Sequence, residues 1–473
     1  MNRPNILFIF PDQWRGDSLS YLGHPVAETP FIDQLAHEGV CFSSCYSPSP
    51  TCIAARAALL TGQRPTTTGR MGYKDGVEWP YRNTYARCLR DSGYETMLVG
   101  KTHFYPPRAR LGFERMAFYL PHSYDHECDY SKWLKKETGG LIRDTGVDLD
   151  SNSPLAAPWT HDENLHPNSW KVTNTIEYLE TRDPTRPFFL QLGFHRPHPP
   201  FDPPMSYFER FLDKELPPVP VGDWCEDNDR KVDRIDPMVG RLPDAILDRS
   251  RRAYYAQLAH LDAQIGRLIR YLKARGLYKN TLIVFSSDHG EMLGDHHMFR
   301  KGNAFESSAK VPLIIRMPDQ DTKSPRGIQS DTPTTLSDLM PTFLEAGGVA
   351  IPDSVEAESV MEIVKGEAPF PRDYIHGEHA PSWQWVTDGR EKFVWHSQSG
   401  KEFFFDLRQD PQECHNAIQD PDSEARVKLW RQRLVDELST RPEDGLSDGQ
   451  RLISGKAGPN HREWLLTLEP ERY

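Results

Sequence analysis

The sequence predicts an α/β protein with one large, mostly parallel sheet sandwiched by helices, followed by a small antiparallel α+β subdomain. The first observation is that apolar strands alternate with amphipathic helices through most of the chain, as in parallel sheets. The second is that this alternation stops beyond about Pro352, where short strands precede a single helix. The third is the composition, 37% hydrophobic and 26% charged, which is typical of globular proteins.

The first predicted strand covers residues 5–10, a continuous apolar run of the kind found in sheets buried on both faces. Thr29 and Pro30 then offer a helix N-cap followed by proline at the first helical position. Gly39 provides the stop. We therefore expect a strand followed by a helix.

The same alternation recurs further along the chain. A helix over 84–92 precedes a strand over 95–99, and a helix over 172–181 precedes a strand over 188–192. The apolar stripe of a long helix over 258–272 precedes a strand over 281–285. Because such sheets bind ligands beyond the carboxyl ends of their strands, residues directly after these runs are candidate site residues.

The chain is predicted to divide into a catalytic α/β domain over residues 1–350 and a C-terminal α+β subdomain over 351–473. Strands over 392–395 and 402–406 and a helix over 423–438 define the subdomain, which we expect to complete the substrate cleft. The proline-rich, charged segment 199–243 is interpreted as an excursion over the surface.

Composition and charge exclude several classes of function. A net charge of -12 argues against a nucleic-acid partner. No run approaches the roughly 18 apolar residues that span a bilayer. The first apolar run ends at Pro11 without a cleavage site, so we expect a cytoplasmic protein with no membrane partner. Seven cysteines without a Cys-x-x-Cys pair favour reduced thiols over zinc or disulfides.

Cys52 differs from the other cysteines because it lies at the start of a predicted helix. Residues 52–62 combine strong helix formers with a terminal glycine. The partial positive charge of a helix N-terminus favours an anion at this position. Arg56 lies on the same helix face and can hold negative charge that develops at position 52.

The segment from Cys52 to Gly62 resembles the signature of the sulfatases, Cys-x-Ala-x-Arg followed by Leu-Leu-Thr-Gly. The resemblance implies an alkaline-phosphatase-like fold. It also implies that a formylglycine-generating maturation enzyme oxidises Cys52 to formylglycine, whose hydrate attacks sulfur. Ala54 replaces the more usual proline of the signature.

Two pairs of polar residues follow predicted strands and resemble the metal ligands of this family. Asp12 and Gln13 follow the first strand, and Asp288 and His289 follow the strand over 281–285. Gln13 and His289 resemble the variant of phosphonate monoester hydrolases in the same superfamily. With Cys52, these residues form the predicted site for one divalent ion. Oxygen ligands favour Ca²⁺, and the histidine leaves Mn²⁺ as an alternative.

Three further segments resemble the sulfate-binding motifs of the family. Residues 100–103 resemble Gly-Lys-x-His, and the resemblance implies that Lys101 binds sulfate and His103 contacts the diol as a catalytic base. Residues 195–200 resemble His-x-Pro-His-x-Pro, in which His198 contacts sulfate and protonates the leaving group. Lys301 matches a second sulfate-binding lysine, although Arg300 stands where the family usually has glycine.

The predicted function is hydrolysis of a sulfate monoester, either an aryl sulfate or a sulfated sugar. A phosphonate monoester or phosphodiester hydrolase is the first alternative, and a non-catalytic binder of sulfated ligands is the second. The alcohol portion and the oligomeric state are left open, with a homo-oligomer among the options. Loops 105–165 and 200–245 are expected to set selectivity. Further candidates for substrate contact are Arg70, Tyr73, Trp79, His376, Glu378 and His379.

Overall fold

A computed structural model describes residues 3–120, 128–143, 149–367 and 372–466 of the chain. Its strands are β1 (Asn5–Asp12), β2 (Val40–Phe42), β3 (Cys45–Tyr46), β4 (Glu95–Lys101), β5 (Arg115–Tyr119), β6 (Phe188–Pro197), β7 (Thr281–Ser286), β8 (Leu313–Arg316), β9 (Ile328–Ser330), β10 (Thr334–Thr335), β11 (Ile375–His379), β12 (Trp383–Thr387), β13 (Glu391–His396) and β14 (Lys401–Asp406). Its helices are α1 (Pro30–His37), α2 (Cys52–Thr61), α3 (Pro65–Thr68), α4 (Tyr85–Asp91), α5 (Asp129–Thr138), α6 (Pro167–Thr181), α7 (Met205–Phe208), α8 (Asp244–Ala274), α9 (Glu306–Ala309), α10 (Leu339–Ala346), α11 (Met361–Lys365), α12 (Glu424–Ser439) and α13 (Glu463–Leu466).

Within these residues the large sheet has the strand order β5-β4-β6-β1-β7-β8-β2-β9. The first five strands in this order are mutually parallel, and β2 and β9 also pair in parallel. Only β8 pairs antiparallel with both of its neighbours. The expected mostly parallel α/β sheet is therefore confirmed, with β1 at its centre and the carboxyl ends of β1, β4, β6 and β7 along one edge.

Helices bury both faces of this sheet, which explains the continuous apolar runs of its strands. On one face, Leu258, Leu261 and Leu268 of α8 pack in the same apolar cluster as Leu7 and Ile9 of β1. On the other face, α2, α4 and α10 pack against the alternate residues of β1. The helix α8 begins at Asp244, before the apolar stripe over 258–272. Its first turns are largely exposed and carry no apolar stripe, so the sequence pattern did not reveal them.

The strand β6 also runs further than its apolar stretch predicts. It continues to Pro197 because its backbone stays paired with β1 through Phe194, with an irregularity where Asp12 pairs with Pro197. His195 therefore lies within the strand, and His198 follows directly after its end. This extension brings the 195–200 segment to the same sheet edge as Asp12.

The C-terminal part forms a four-stranded antiparallel sheet in the order β11-β12-β13-β14. Trp430 and Leu434 of α12 pack on one face, and Phe305 of the preceding region packs on the other. The antiparallel character and α12 agree with the sequence prediction, whereas β11 and β12 were missed. The division at residue 350 remains a proposal, since Val360 and Val364 pack in an apolar cluster with the large sheet.

No helix among the described residues is long and apolar enough to cross a membrane. All seven cysteines are free thiols in the structure. The absence of disulfides agrees with the prediction from cysteine spacing. The cytoplasmic location and the exclusion of nucleic-acid and membrane partners stay predictions.

Candidate active site

Three elements bring the predicted metal ligands together at the carboxyl edge of the large sheet. Asp12 ends β1, Asp288 and His289 follow β7, and Cys52 is the first residue of α2. One ligand atom of each of these four buried residues lies within 4.8 Å of the others. The cluster therefore offers two carboxylates, an imidazole and a sulfur atom to a single point.

Cys52 lies at the N-terminus of α2, with Thr51 in the extended conformation of an N-cap. Its Sγ is 3.1 Å from Nε2 of His289, 3.6 Å from Oδ1 of Asp12 and 3.8 Å from Nζ of Lys101. Burial and Asp12 raise the pKa of the thiol, but Lys101, Lys301 and His289 lower it more, to about 6. Position 52 thus stabilises negative charge, as expected from the helix N-terminus.

The pKa values of the two carboxylates of the cluster are shifted in opposite directions because their neighbours differ. Burial raises the pKa of Asp12, but the cations around it, first Lys101, hold that pKa well below its usual range. Burial and the charge of Asp12 raise the pKa of Asp288. Arg56 bridges the pair, with its Nε donating to Asp288 at 2.9 Å and its Nη2 3.6 Å from Asp12. Arg56 therefore holds the two carboxylates rather than the sulfur atom.

His289 presents a defined nitrogen to the cluster. Its Nδ1 is 2.9 Å from the carbonyl oxygen of Gly290, so this nitrogen carries the proton and donates it to the carbonyl. Its Nε2 lies 3.4 Å from Oδ1 of Asp12 and 3.7 Å from Oδ1 of Asp288. A backbone carbonyl that fixes the tautomer in this way is a common support for a metal-binding histidine.

Gln13 connects Asp288 of the predicted metal site to Lys301. Its backbone N–H donates to Oδ1 of Asp288 at 3.1 Å, and its φ of 72° turns the chain sharply after β1. Nζ of Lys301 donates to its Oε1 at 2.6 Å, while its Nε2 donates to Glu291. Burial lowers the pKa of Lys301. The backbone of Gln13 thus contacts the cluster, while its amide oxygen accepts a hydrogen bond from Lys301, a predicted sulfate-binding residue.

Lys101 ends β4 and reaches the other side of the cluster, where its ammonium group contacts Asp12. Burial lowers the pKa of Lys101, but Asp12 and Cys52 raise it above its usual value. Gly100 is required before it because a Cβ there would lie 1.8 Å from the carbonyl oxygen of Gly193 in β6. This close approach of β4 and β6 sets the position of Lys101.

His198 and His195 lie next to each other beyond Asp12, with ring centroids 4.5 Å apart. The backbone N–H of His198 donates to the carbonyl of Asp12 at 3.2 Å, and its Nδ1 is 2.9 Å from the carbonyl oxygen of Pro199. Burial and Lys301 hold the pKa of His198 well below its usual value. The ring is therefore neutral, with Nδ1 protonated and Nε2 available.

His103 lies further from the predicted metal ligands, on a backbone with a φ of 63°. Its Nε2 is 3.9 Å from Oδ2 of Asp75, which also accepts a hydrogen bond from the Tyr73 hydroxyl at 2.9 Å. Burial and the positive charge of Lys101 lower the pKa of His103 to about 3. The structure therefore places His103 beside an acidic side chain that the sequence analysis did not single out.

A cavity of about 660 Å³ opens over Cys52, Lys101, His103, His198 and Lys301. All predicted catalytic and sulfate-binding residues except Arg56, which lies beneath it, thus line one space. The predicted metal ligands border its floor through Cys52.

A family model described as Sulfatase matches residues 4–349, which is most of the chain. The chain belongs to the sulfatase family. A second model, described as N-sulphoglucosamine sulphohydrolase, C-terminal, matches residues 294–440. The arylsulfatase of Clostridium perfringens is 40% identical over 471 residues, covering 96% of this chain and 98% of the relative. This sulfatase is accordingly a sulfuric-ester hydrolase.

Solved structures support the fold of this sulfatase. The phosphonate monoester hydrolase of Agrobacterium radiobacter is similar with a TM-score of 0.79 and 26% identity, covering 93% of this chain and 96% of that one. A structure solved with its substrate D-glucosamine-2-N,6-O-disulfate has a TM-score of 0.74 at 21% identity and covers 94% and 99%. At this low identity, the second structure supports the fold of the chain and not its substrate. Together they establish the alkaline-phosphatase-like architecture that the sequence predicted.

The remaining candidates for substrate contact in this sulfatase separate into two groups. Tyr73 and His379 line the cavity, as do Tyr105, Asn152 and Met238 of the loops predicted to set selectivity. A second group lies elsewhere. Arg70 and Trp79 are buried against each other, and His376 and Glu378 line a different, smaller cavity.

His379 reaches the cavity from β11 because Gly302 leaves room for it. A Cβ on Gly302, which has a φ of +90°, would lie 3.1 Å from the His379 ring. Asp75 and Thr51 also line the cavity and were missed, since neither belongs to a recognisable motif. Glu291, missed as well, was signalled only by its place three residues after Asp288.

Proposed function

We propose that this sulfatase hydrolyses a sulfate monoester, an aryl sulfate or a sulfated carbohydrate, using formylglycine made from Cys52 and one divalent metal ion. The observation that carries the proposal is the position of Cys52. On one side it faces the buried carboxylate and imidazole cluster, and on the other it opens to a cavity lined by Lys101 and Lys301. A nucleophile at this point would have an activating cation behind it and cationic side chains for sulfate in front.

The donor set fits a divalent ion. Asp12, Asp288 and His289 converge with their ligand atoms within 4.8 Å, all of them buried, and the charge of Asp12 raises the pKa of Asp288. A divalent ion would add to Arg56 and Lys101 in neutralising these two buried carboxylates. Gln13 would add its amide oxygen. When bound, Ca²⁺ or Mn²⁺ would act as a Lewis acid at position 52. Metal analysis of the purified protein by mass spectrometry tests this donor set.

Formylglycine hydrate at position 52 would supply the attacking hydroxyl and, after transfer, a second hydroxyl whose deprotonation releases sulfate. The chain's own residues would bind and orient the ester. Lys101, Lys301 and the N-terminus of α2 would neutralise the sulfate oxygens as the transition state forms. Arg56 would keep Asp12 and Asp288 fixed, because it contacts both carboxylates.

Proton transfer would fall to the two histidines. His198 holds Nδ1 on the carbonyl of Pro199, which leaves Nε2 for the leaving-group oxygen. The negative charge of a bound sulfate raises the pKa of His198, so the ring can be protonated before it passes the proton on. His103, beside Asp75, would accept the hydroxyl proton during sulfate release.

The deciding experiment measures the mass of the Cys52 peptide and sulfate release together. Protein made with a formylglycine-generating enzyme is expected to carry the aldehyde and to hydrolyse 4-nitrophenyl sulfate. A Cys52→Ala variant should lose essentially all activity, while Cys414→Ala, which alters a thiol outside the site, should retain it. An unmodified thiol in active protein would contradict the formylglycine mechanism. An unmodified thiol with no sulfate released would favour a binder of sulfated ligands.

One structural observation supports phosphonate monoester hydrolysis as a second candidate. The solved phosphonate monoester hydrolase superposes with a TM-score of 0.79, and Gln13 and His289 are the two site residues that resemble that group. The arylsulfatase relative is more similar in sequence, at 40% identity against 26%. Comparing kcat/KM on 4-nitrophenyl sulfate and on 4-nitrophenyl phenylphosphonate distinguishes the two, and we expect sulfate to be preferred.

A further inference from the structure

Arg300 lines the catalytic cavity next to Lys301 but has no part in the proposed chemistry. Its φ is 65°, in the left-handed region that favours glycine. Two contacts of its backbone hold this conformation. Its N–H donates to Glu291 at 2.6 Å, and its carbonyl oxygen accepts from the N–H of Met292 at 2.8 Å. An arginine at a position where glycine would be unstrained indicates that its side chain has a function.

The guanidinium group of Arg300 has few partners for its charge and its hydrogen-bond donors. Its Nε is buried without a hydrogen-bond partner. Its nearest carboxylate in the described part of the chain is Asp236, at 3.7 Å from Nη1, which is beyond hydrogen-bond distance. Asp236 already accepts two hydrogen bonds from Arg234, at 2.6 and 3.0 Å. Arg300 therefore has donors left for an anion, and a planar guanidinium suits a carboxylate or sulfate.

The side chains around Arg300 link it to position 52. Burial and Asp75 raise the pKa of Tyr73, the charge of Cys52 raises it further, and Arg300 lowers it. Arg300 and position 52 are thus both within electrostatic range of one phenol. Tyr73, Tyr105 and Met238 are 50%, 42% and 42% exposed, and all three line the cavity. Exposed rings above a charged floor can stack on a sugar or aryl ring.

We infer that the substrate is a sulfated ring compound with a second anionic group, a carboxylate or another sulfate, which Arg300 binds while Lys101 and Lys301 bind the sulfate to be removed. This inference rests on the proposed function for the identity of the reacting sulfate. It makes Arg300 a residue that determines specificity through binding. Its removal should therefore change KM and leave kcat nearly unaltered.

The test compares the 2-, 3- and 4-carboxyphenyl sulfates with the matching carboxamides, which differ in charge and little in shape. At one ring position or more, the wild type is expected to favour the acid by about tenfold in kcat/KM, the usual gain from a charge-assisted hydrogen bond. In Arg300→Gly this ratio should fall to about one through KM, with the carboxamide rate unchanged. The thermal midpoint should not fall, because glycine relaxes the φ of 65°.

Two controls keep the result interpretable. Asp236→Asn removes the nearest carboxylate while leaving Arg300 in place, so the acid preference should persist. Calorimetric binding of the same esters to Cys52→Ala protein measures the preference without turnover. If no ester is hydrolysed but the preference for acids persists and needs Arg300, the proposed function fails and the Arg300 site stands. A ratio near one at all three positions in the wild type, or an unchanged ratio in Arg300→Gly, overturns the inference.

Discussion

At the scale of single residues, the two lysines of the site differ in what neutralises them. Lys101 forms an ion pair with Asp12, one of the predicted metal ligands. Lys301 donates to the neutral amide oxygen of Gln13 and has no carboxylate within 4.0 Å in the described part of the chain. Burial accordingly lowers the pKa of Lys301, whereas the pKa of Lys101 is raised. Lys301 is therefore the cation more available to an incoming sulfate.

Replacing Lys301 with methionine should lower kcat/KM for sulfate ester hydrolysis by roughly 10²- to 10³-fold, the range for loss of one preorganised transition-state contact. Methionine keeps much of the side-chain volume, so the fold should be preserved. Steady-state kinetics with 4-nitrophenyl sulfate provides the measurement. The exposed Lys323 offers a matched control, and Lys323→Met should leave the rate unchanged. A loss below about threefold in Lys301→Met would remove Lys301 from the sulfate site.

At the scale of elements, helix α1 begins as predicted but is capped by another helix. Thr29 and Pro30 occupy the N-cap and first positions, yet the Thr29 side chain makes no capping hydrogen bond. Asp262 of α8 accepts instead from the N–H groups of Phe31, at 3.1 Å, and Ile32, at 2.8 Å. A buried carboxylate thus joins two helices on one face of the sheet.

Asp262→Ala should lower the free energy of unfolding by about 2 kcal/mol, because it leaves buried backbone donors without an acceptor. Asp262→Asn keeps an oxygen at the same place and should cost less. Chemical denaturation followed by circular dichroism measures both differences. Equal losses in the two variants would show that the carboxylate's charge, rather than its role as an acceptor, holds the start of α1.

At the scale of the whole molecule, a buried charge cluster ties the C-terminal sheet to the catalytic region. Lys392 of β13 lies 2.9 Å from Glu306 of α9 and 3.1 Å from Glu413. Glu413 also accepts from the backbone N–H of Glu306 at 2.7 Å. One lysine therefore forms ion pairs with two buried carboxylates. Burial raises the pKa of Glu413 to about 7, and the charge of Glu306 raises it too.

This cluster predicts a pH dependence of stability. The pKa of Glu413 is about 7 in the folded protein, against an ordinary value of 4.5 for a glutamate in the unfolded chain. Between these two pH values, the carboxyl group is therefore more protonated in the folded protein than in the unfolded one. Stability from Glu413 is therefore lost as the pH rises through this window. Glu413→Gln should flatten the decline in unfolding free energy, and the exposed Glu215→Gln should not. Denaturation midpoints at several pH values test this, and an unchanged slope in Glu413→Gln would contradict it.

Much of the molecule could be predicted from the sequence because its signals are local. Strand and helix periods, together with the glycine and proline stops, gave the α/β order. Asp12, Asp288 and Cys52 could be assigned to one sheet edge because each follows a strand or begins a helix. β11 was missed because its residues, which include His376, Gly377 and Glu378, have weak strand preference and no apolar alternation.

The sequence by itself determined the fold class, the family and the residues that converge on position 52. Only the tertiary structure decided the partners: Arg56 with Asp288, Lys301 with Gln13, and His103 with Asp75. It also decided that Arg300 and His379 line the cavity. The physical reason is that the secondary structure of a residue depends mainly on its neighbours in sequence. Its hydrogen bonds and charge partners instead depend on strand order and loop paths that bring distant segments together.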